Sequence, residues 1–273
     1  MVSLVIVLAV AARHSFWMQH MHSRMQPATR WVAKRRLTVR FNSITIREMA
    51  EGQMDQAEKR KYAADVLRRA EAKRGYLLPY HKMLGTHDPA LLEAYDGFYK
   101  AFTLDRRSFN DKEREVVWAA LLVAGREEYG DIHMRRGIEV GLTKSDLQDA
   151  VALAAVAESF QGAAFASRFW PEWTPEDAVV ARYLKMAEAA RGGIEPYLAE
   201  IALIVCHAAR KSPQGMRIHL PRAFAAGASA EKIAEGVSYV ILPCGGPTLV
   251  EACATWAKAA EDGLCPGPYE DGA

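Results

Sequence analysis

The architecture of this protein follows from residues 115–151, EVVWAALLVAGREEYGDIHMRRGIEVGLTKSDLQDAV, and from residues 200–237, EIALIVCHAARKSPQGMRIHLPRAFAAGASAEKIAEGV. Each stretch contains an apolar helix, a break, and a second helix that carries a His followed three residues later by an Arg. Each then has a Gly stop, a Thr or Ser cap and the start of a third helix. His133 falls on His219 with an offset of 86 residues. A repeat that keeps a polar His-x-x-Arg pair predicts a site that is used twice or shared between the copies.

Helix signals continue along the rest of the chain. Asp88-Pro89 and Asn110-Asp111 are typical helix starts, and Thr143 with Asp146 forms a capping-box pattern before a long Ala-rich helix. No stretch after residue 48 favours a β-strand. We therefore predict an all-α fold in which two tandem helical repeats pack as a pseudo-twofold unit.

Prolines mark the joint between the two copies, because Pro171 and Pro175 interrupt the helical pattern. The predicted organisation is a leader, a first repeat with its lead-in helices, a second repeat and a disordered tail, at residues 1–48, 49–175, 176–262 and 263–273.

Charge is distributed unevenly along the chain. Residues 1–48 contain eight Lys or Arg and one acidic residue, Glu48, so their net charge is +7. Because the whole chain has a net charge of +2, the remaining residues have a net charge of −5. A mildly acidic body makes a nucleic-acid surface an unfavourable interpretation. The chain has four cysteines and none forms a C-x-x-C pair, which argues against a structural zinc site or a dithiol redox centre.

The apolar run at residues 2–12, VSLVIVLAVAA, is too short to span a bilayer. Three interpretations stay open: sequence upstream of a true start at Met49 or Met54, a secretory or organellar leader, or a structural extension. We expect a cytoplasmic protein without a membrane span, or an exported one if residues 1–25 are a signal peptide.

The two copies resemble the carboxymuconolactone decarboxylase family, which shares its fold with the alkylhydroperoxidase D-like proteins. The resemblance is carried by residues 113–151 and by QGMRIHLPRAFAAGASAEKIAEGVSYVILPCGGPTLVEA at 214–252. The segment HKMLGTHDPALLEAYDGFYKAF at 81–102 is similar to the family's lead-in helices. In order, these motifs cover about residues 80–260. The resemblance implies two alkylhydroperoxidase D-like repeats.

The peroxidase branch of that fold carries a C-x-x-C before the His. Here the positions four residues before each His are Tyr129 and Gly215, and the positions seven before are Arg126 and Ser212. Without a thiol pair a dithiol–disulfide cycle is not expected. The chain therefore resembles the decarboxylase branch, and thiol peroxidase activity is disfavoured. That branch often has a Glu where Tyr129 stands, which leaves the substrate open.

The resemblance implies a cofactor-free and metal-free carboxy-lyase acting on a small carboxylated lactone or a related intermediate of aromatic breakdown. A His would deliver a proton to carbon and an Arg would hold a substrate carboxylate. The candidate catalytic residues are His133, His219, Glu128, Glu115 and Glu200. The candidate substrate-binding residues are Arg136, Arg222, Arg126 and Tyr129.

Plainer interpretations accompany these candidates. Either His could hydrogen-bond a neighbouring helix, and either Arg could form an ordinary salt bridge. Glu128 could simply favour the helix dipole, and His207 is typical of a core histidine. Two other functions also stay open: a different proton-transfer enzyme, such as an isomerase, lactone hydrolase or retro-aldol lyase, and a non-catalytic binding protein. Family members usually form rings, so we expect a homo-oligomer, a trimer of two-repeat chains that imitates a ring of six.

Overall fold

The computed structural model describes residues 55–269, apart from the side chain of Arg74. Within this range every regular element is a helix and no strand occurs, which confirms the predicted all-α class. The predictions for residues 1–48 and for residues 270–273 lie outside the described residues.

The described part of the chain divides into two compact units, one ending at Asp96 and the other beginning at Gly97. In the first unit, helix α1 has a capping box between Asp55 and Glu58 and ends at Gly75, whose φ of 78° suits glycine. The start of α3 is tied to α1 by the hydrogen bond from Tyr62 to Glu93. The helices are α1 (Gln56–Arg74), α2 (Pro79–His87) and α3 (Pro89–Thr103), the last of which continues into the second unit.

The second unit contains both His-x-x-Arg helices. Its helices are α4 (Asp111–Gly125), α5 (Asp131–Glu139), α6 (Lys144–Phe169), α7 (Glu176–Arg191), α8 (Pro196–Ala209), α9 (Pro213–Ala225), α10 (Ala230–Tyr239), α11 (Ile241–Cys244) and α12 (Gly246–Glu261).

The core of this unit is built on α4 and α8, the first helices of the two predicted repeats. Both are enclosed on nearly all faces, as their apolar sequences predict. They touch directly, since the Cys206 thiol lies 3.5 Å from the carbonyl oxygen of Ala120. The two central helices therefore carry their polar residues, Glu115 and Glu200, into the interior.

Two carboxylates connect the two predicted repeats. Asp149 on α6 accepts a hydrogen bond of 2.9 Å from the backbone N–H of Gly193, just before α8. Glu235 on α10 accepts one of 2.5 Å from the N–H of Ser108, just before α4. Thus α6 binds the segment that leads into α8, and α10 binds the segment that leads into α4.

A 3-10 turn at Glu128–Gly130 separates α4 from α5, which begins at Asp131. The reason is local, because Arg126 adopts a left-handed φ of 58°. The Glu127 side chain then accepts a hydrogen bond from the N–H of Tyr129.

By length and composition, α6 is the single helix in the described range that could cross a membrane. Its buried side chains, among them Leu153, Ala157 and Phe160, belong to the interior of the unit. A long core helix meets the same criteria, so α6 does not form a clear membrane span.

Candidate functional site

The first candidate site centres on a buried glutamate–histidine pair. Glu115 on α4 is fully enclosed, and its Oε2 lies 2.8 Å from Nδ1 of His133 on α5. Its other oxygen accepts a hydrogen bond of 2.9 Å from Nε of Arg114. Both carboxylate oxygens are therefore engaged, as a buried charge requires. Since an ionised carboxylate only accepts, Nδ1 of His133 carries its proton toward Glu115.

The imidazole of His133 keeps one nitrogen free. Nε2 makes no hydrogen bond within the described residues. The His133 side chain retains 7% exposure, whereas the His219 side chain has 0%. Burial lowers the pKa of His133 below its usual value, and the hydrogen bond with Glu115 opposes this only in part. The ring can therefore exchange a proton with a molecule that reaches Nε2.

Arg136 lies one turn beyond His133 and is not committed to the buried glutamate. Its NH1 donates a hydrogen bond of 2.9 Å to the hydroxyl of Tyr99. Arg114 takes over the neutralisation of Glu115. Arg136 is half-buried. Among the described residues its hydrogen-bond partner is the neutral hydroxyl of Tyr99, and no carboxylate neutralises its charge.

The second glutamate–histidine pair is closed. Glu200 on α8 lies 2.6 Å from Nδ1 of His219, and its other oxygen accepts 2.7 and 2.9 Å contacts from Arg222. Burial alone would raise the pKa of Glu200, but hydrogen bonds from His219 and Arg222 outweigh it and hold the pKa below its usual value. Arg222, which corresponds to Arg136, is therefore paired with the glutamate, although 40% of its side chain is exposed.

Tyr183 on α7 occupies the remaining nitrogen of His219. Its hydroxyl lies 2.6 Å from Nε2 of His219 and 2.8 Å from Nε2 of His207. One hydroxyl proton can serve only one of them. With both histidines neutral, Tyr183 donates to His219 and His207 donates to Tyr183. Nδ1 of His207 is then a buried acceptor that has no hydrogen-bond partner among the described residues.

Three predicted residues lie apart from both pairs. Arg126 is exposed and forms a 3.2 Å contact with Glu158. Glu128 and Tyr129 lie on the exposed 3-10 turn, and neither makes a side-chain hydrogen bond to a histidine in the described structure. The geometry thus brings together Glu115 with His133 and Glu200 with His219 and Arg222.

Sequence reasoning missed three residues that touch these pairs: Arg114, Trp118 and Tyr183. Trp118 could have been found, because it lies three residues after Glu115 and so on the same helix face. Tyr183 gives no such signal, since it lies in α7, outside the two aligned stretches at 115–151 and 200–237.

The described residues contain no cluster of three or more His, Cys, Asp or Glu side chains that could hold a metal ion. The four cysteines are free thiols, and Cys206 is fully buried.

Comparison with known protein families matches residues 89–172 to the carboxymuconolactone decarboxylase family. The matched residues contain Glu115, His133 and Arg136, and they end before the second pair. A search of curated proteins finds no match. The family match agrees with the all-helical structure and with the resemblance found in the sequence. Residues 89–172 are therefore similar to the carboxymuconolactone decarboxylase family.

Proposed function

We propose that the His133 site is the active centre of a cofactor-free carboxy-lyase that acts on a small carboxylated lactone. One observation supports this choice of site above the others. Of the two buried glutamate–histidine pairs, only His133 keeps a ring nitrogen without a partner in the described structure. A proton-transfer catalyst needs such a nitrogen.

In the proposed reaction the bond between the ring carbon and the departing carboxylate breaks and CO₂ leaves. The electron pair moves toward the lactone carbonyl, and the proton on Nε2 of His133 is then delivered to carbon. Glu115 holds the ring through Nδ1 and balances the positive charge of the imidazolium. The imidazolium must form before the step, because Nε2 of the neutral ring is an acceptor.

Arg136 is the proposed binding group for a substrate carboxylate. A guanidinium recognises a carboxylate with two parallel hydrogen bonds. In the described structure Arg136 forms no salt bridge, and its hydrogen-bond partner is the neutral hydroxyl of Tyr99. Arg222 is proposed to be structural, since Glu200 already occupies it.

The test follows the ultraviolet spectrum and CO₂ release of the full chain with 4-carboxymuconolactone, beside His133→Ala and His219→Ala. We expect His133→Ala to lose turnover by about 10²- to 10⁴-fold. We expect His219→Ala to retain a larger share of turnover and to unfold at a lower temperature, because Tyr183 and Glu200 lose a buried partner.

Equal, partial losses in the two variants would contradict this assignment and indicate two independent sites. No turnover by a folded wild-type protein would exclude this substrate and leave other proton-transfer reactions to be tested at His133. A rate independent of pH would contradict a histidine donor, because its pKa lies below the usual 6.5 and kcat/KM should rise as the pH falls from 8 to 6.

A further inference from the structure

A stack of three rings connects the His133 site to the second copy. The imidazole of His133 packs on the indole of Trp118 at 4.5 Å between ring centroids and 21° between planes. The opposite neighbour of Trp118 is Tyr239, at 4.7 Å and 23°. His133, Trp118 and Tyr239 come from α5, α4 and α10, so the site includes an aromatic side chain from outside the matched family domain.

A tryptophan at position 118 is energetically unfavourable for the fold alone. Nε1 of Trp118 is enclosed and has no hydrogen-bond partner in the described structure. An unpaired buried N–H is unfavourable, and an aliphatic side chain would avoid it. The closed pair has such a side chain, because Leu203 stands at the equivalent place, 85 residues later. A tryptophan therefore occurs only beside His133, the histidine with an unpaired ring nitrogen in the described structure, and not at the equivalent position beside His219.

Tyr239 is held firmly behind the indole. Its hydroxyl donates a hydrogen bond of 2.6 Å to Oε1 of Glu235. The other oxygen of Glu235 accepts from the backbone N–H groups of Ser108 and Phe109. The guanidinium of Arg107 lies 5.2 Å above the Tyr239 ring. These contacts prevent the tyrosine from turning away, which keeps Trp118 against His133.

We propose that Trp118 and Tyr239 are positioning residues of the His133 site, with the indole face stabilising the imidazolium and Tyr239 holding the indole in place. An aromatic face attracts a cation, and the attraction strengthens when water is excluded. The predicted effect on catalysis rests on the proposed function. The predicted effect on the protonation of His133 does not depend on that function. The charged and titratable groups around the stack are Glu115 and Arg114 on α4, Arg136 on α5, Glu235 on α10 and Arg107 before α4.

The primary measurement is an NMR titration of the His133 ring, assigned by its loss in His133→Gln. Trp118→Leu keeps the site apolar but removes the π face, so we expect about three- to ten-fold weaker proton affinity at His133. Trp118→Phe should restore part of it. Tyr239→Leu should weaken the affinity in the same direction. Tyr239→Phe should restore part of it, because the stacked ring remains while the hydrogen bond to Glu235 is lost.

Trp256→Leu is the matched control, since this indole has the same 2% exposure as Trp118 but packs on Phe224. It should lower stability without changing the proton affinity of His133. If Trp118→Leu and Trp256→Leu leave His133 equally unchanged, the proposal is overturned. If a Leu variant does not fold, wild-type protein made with mono-, di- and trifluorotryptophan decides the matter. Stepwise weakening of His133 protonation supports the proposal, and the absence of a trend overturns it.

The effect on catalysis is measured in a separate kinetic experiment. With 4-carboxymuconolactone, Trp118→Phe should lower kcat and leave KM nearly unchanged, because the ring positions His133 without binding the substrate. A rise in KM with unchanged kcat would overturn the positioning role. If the wild-type protein has no turnover, the titration still decides the proposal, and the carboxy-lyase assignment alone fails.

Discussion

Gly215 shows how one missing side chain shapes the closed pair. A Cβ at this position would lie 2.2 Å from Nδ1 of His207, so only glycine lets the imidazole occupy this place. This is also the position four residues before His219, where the peroxidase branch carries a cysteine. His207 fills the space in which that thiol would have to lie.

We therefore expect Gly215→Ala to lower the free energy of unfolding by about 1–3 kcal/mol through overpacking. His207 would have to leave Tyr183. Gly162→Ala on α6 is the control, because a Cβ there meets nothing within 4 Å. A helical alanine should be neutral or stabilising by up to about 1 kcal/mol. Urea denaturation measures both, and equal effects of the two substitutions would contradict the clash.

His207 should also make the protein sensitive to acid. Burial lowers its pKa well below the usual value, and nearby His219 acts in the same direction. The unfolded chain then binds the proton more tightly than the folded one. The stabilising contribution of the neutral ring is complete above about pH 6.5 and is lost as the pH falls toward the folded-state pKa.

His207→Leu should reduce this loss, and it places in the second copy the residue found in the first, Leu122. The measurement is the urea midpoint at pH 7.5 and at pH 5.5, which should differ less in His207→Leu than in the wild type. Exposed His87→Leu should leave the difference unchanged. A pH dependence identical to that of the wild type would show that His207 titrates normally.

At the scale of helices, the two predicted repeats are connected by one carboxylate on α6, Asp149, and one on α10, Glu235. Glu235 is nearly enclosed and binds two backbone N–H groups and Tyr239, whereas Asp149 is partly exposed and binds Gly193. The contact made by Glu235 is therefore buried, and the corresponding contact made by Asp149 is more exposed.

Glu235→Gln should cost about 1–3 kcal/mol in the free energy of unfolding, because the amide nitrogen would face donors in an enclosed place. Asp149→Asn should cost less, since water can reach its partner. Chemical denaturation of the two variants under identical conditions gives the order. A larger loss of unfolding free energy for Asp149→Asn would show that the carboxylate on α6, rather than the one on α10, makes the stronger contact.

At the scale of the whole molecule, we predict assembly of the chain into a homo-oligomer, with a trimer as the expected form. Large apolar side chains at the end of α6 are consistent with a covered surface, because Phe165, Phe169, Trp170 and Trp173 are all more than half exposed. Light scattering coupled to size exclusion measures the mass directly. A monomer at micromolar concentration would contradict the prediction.

The sequence was sufficient to predict the helical class and the family because both depend on local signals. Apolar periodicity, the cap at Thr143 and the glycine stops at Gly141 and Gly227 act within a few residues. The structure confirms the class, and the family comparison confirms the resemblance over residues 89–172. The tandem arrangement, the site roles and the oligomer stay predictions.

The difference between the two histidines could not be predicted, because it depends on contacts between distant segments. Tyr183 reaches His219 from 36 residues away, and Tyr239 lies more than a hundred residues after Trp118. Whether Arg136 or Arg114 neutralises Glu115 depends on side-chain directions that spacing leaves undetermined. The sequence presents two similar motifs, while the fold gives them different access.

Placing both glutamate–histidine pairs on one chain has a genetic consequence. In an assembly of identical subunits that each carry one pair, a single mutation alters every site at once, so no site can change unless all do. Here a mutation at residue 183 or 207 reaches one pair and spares the other. The chain can therefore keep one pair under selection for the proposed chemistry while the other is free to be selected for stability.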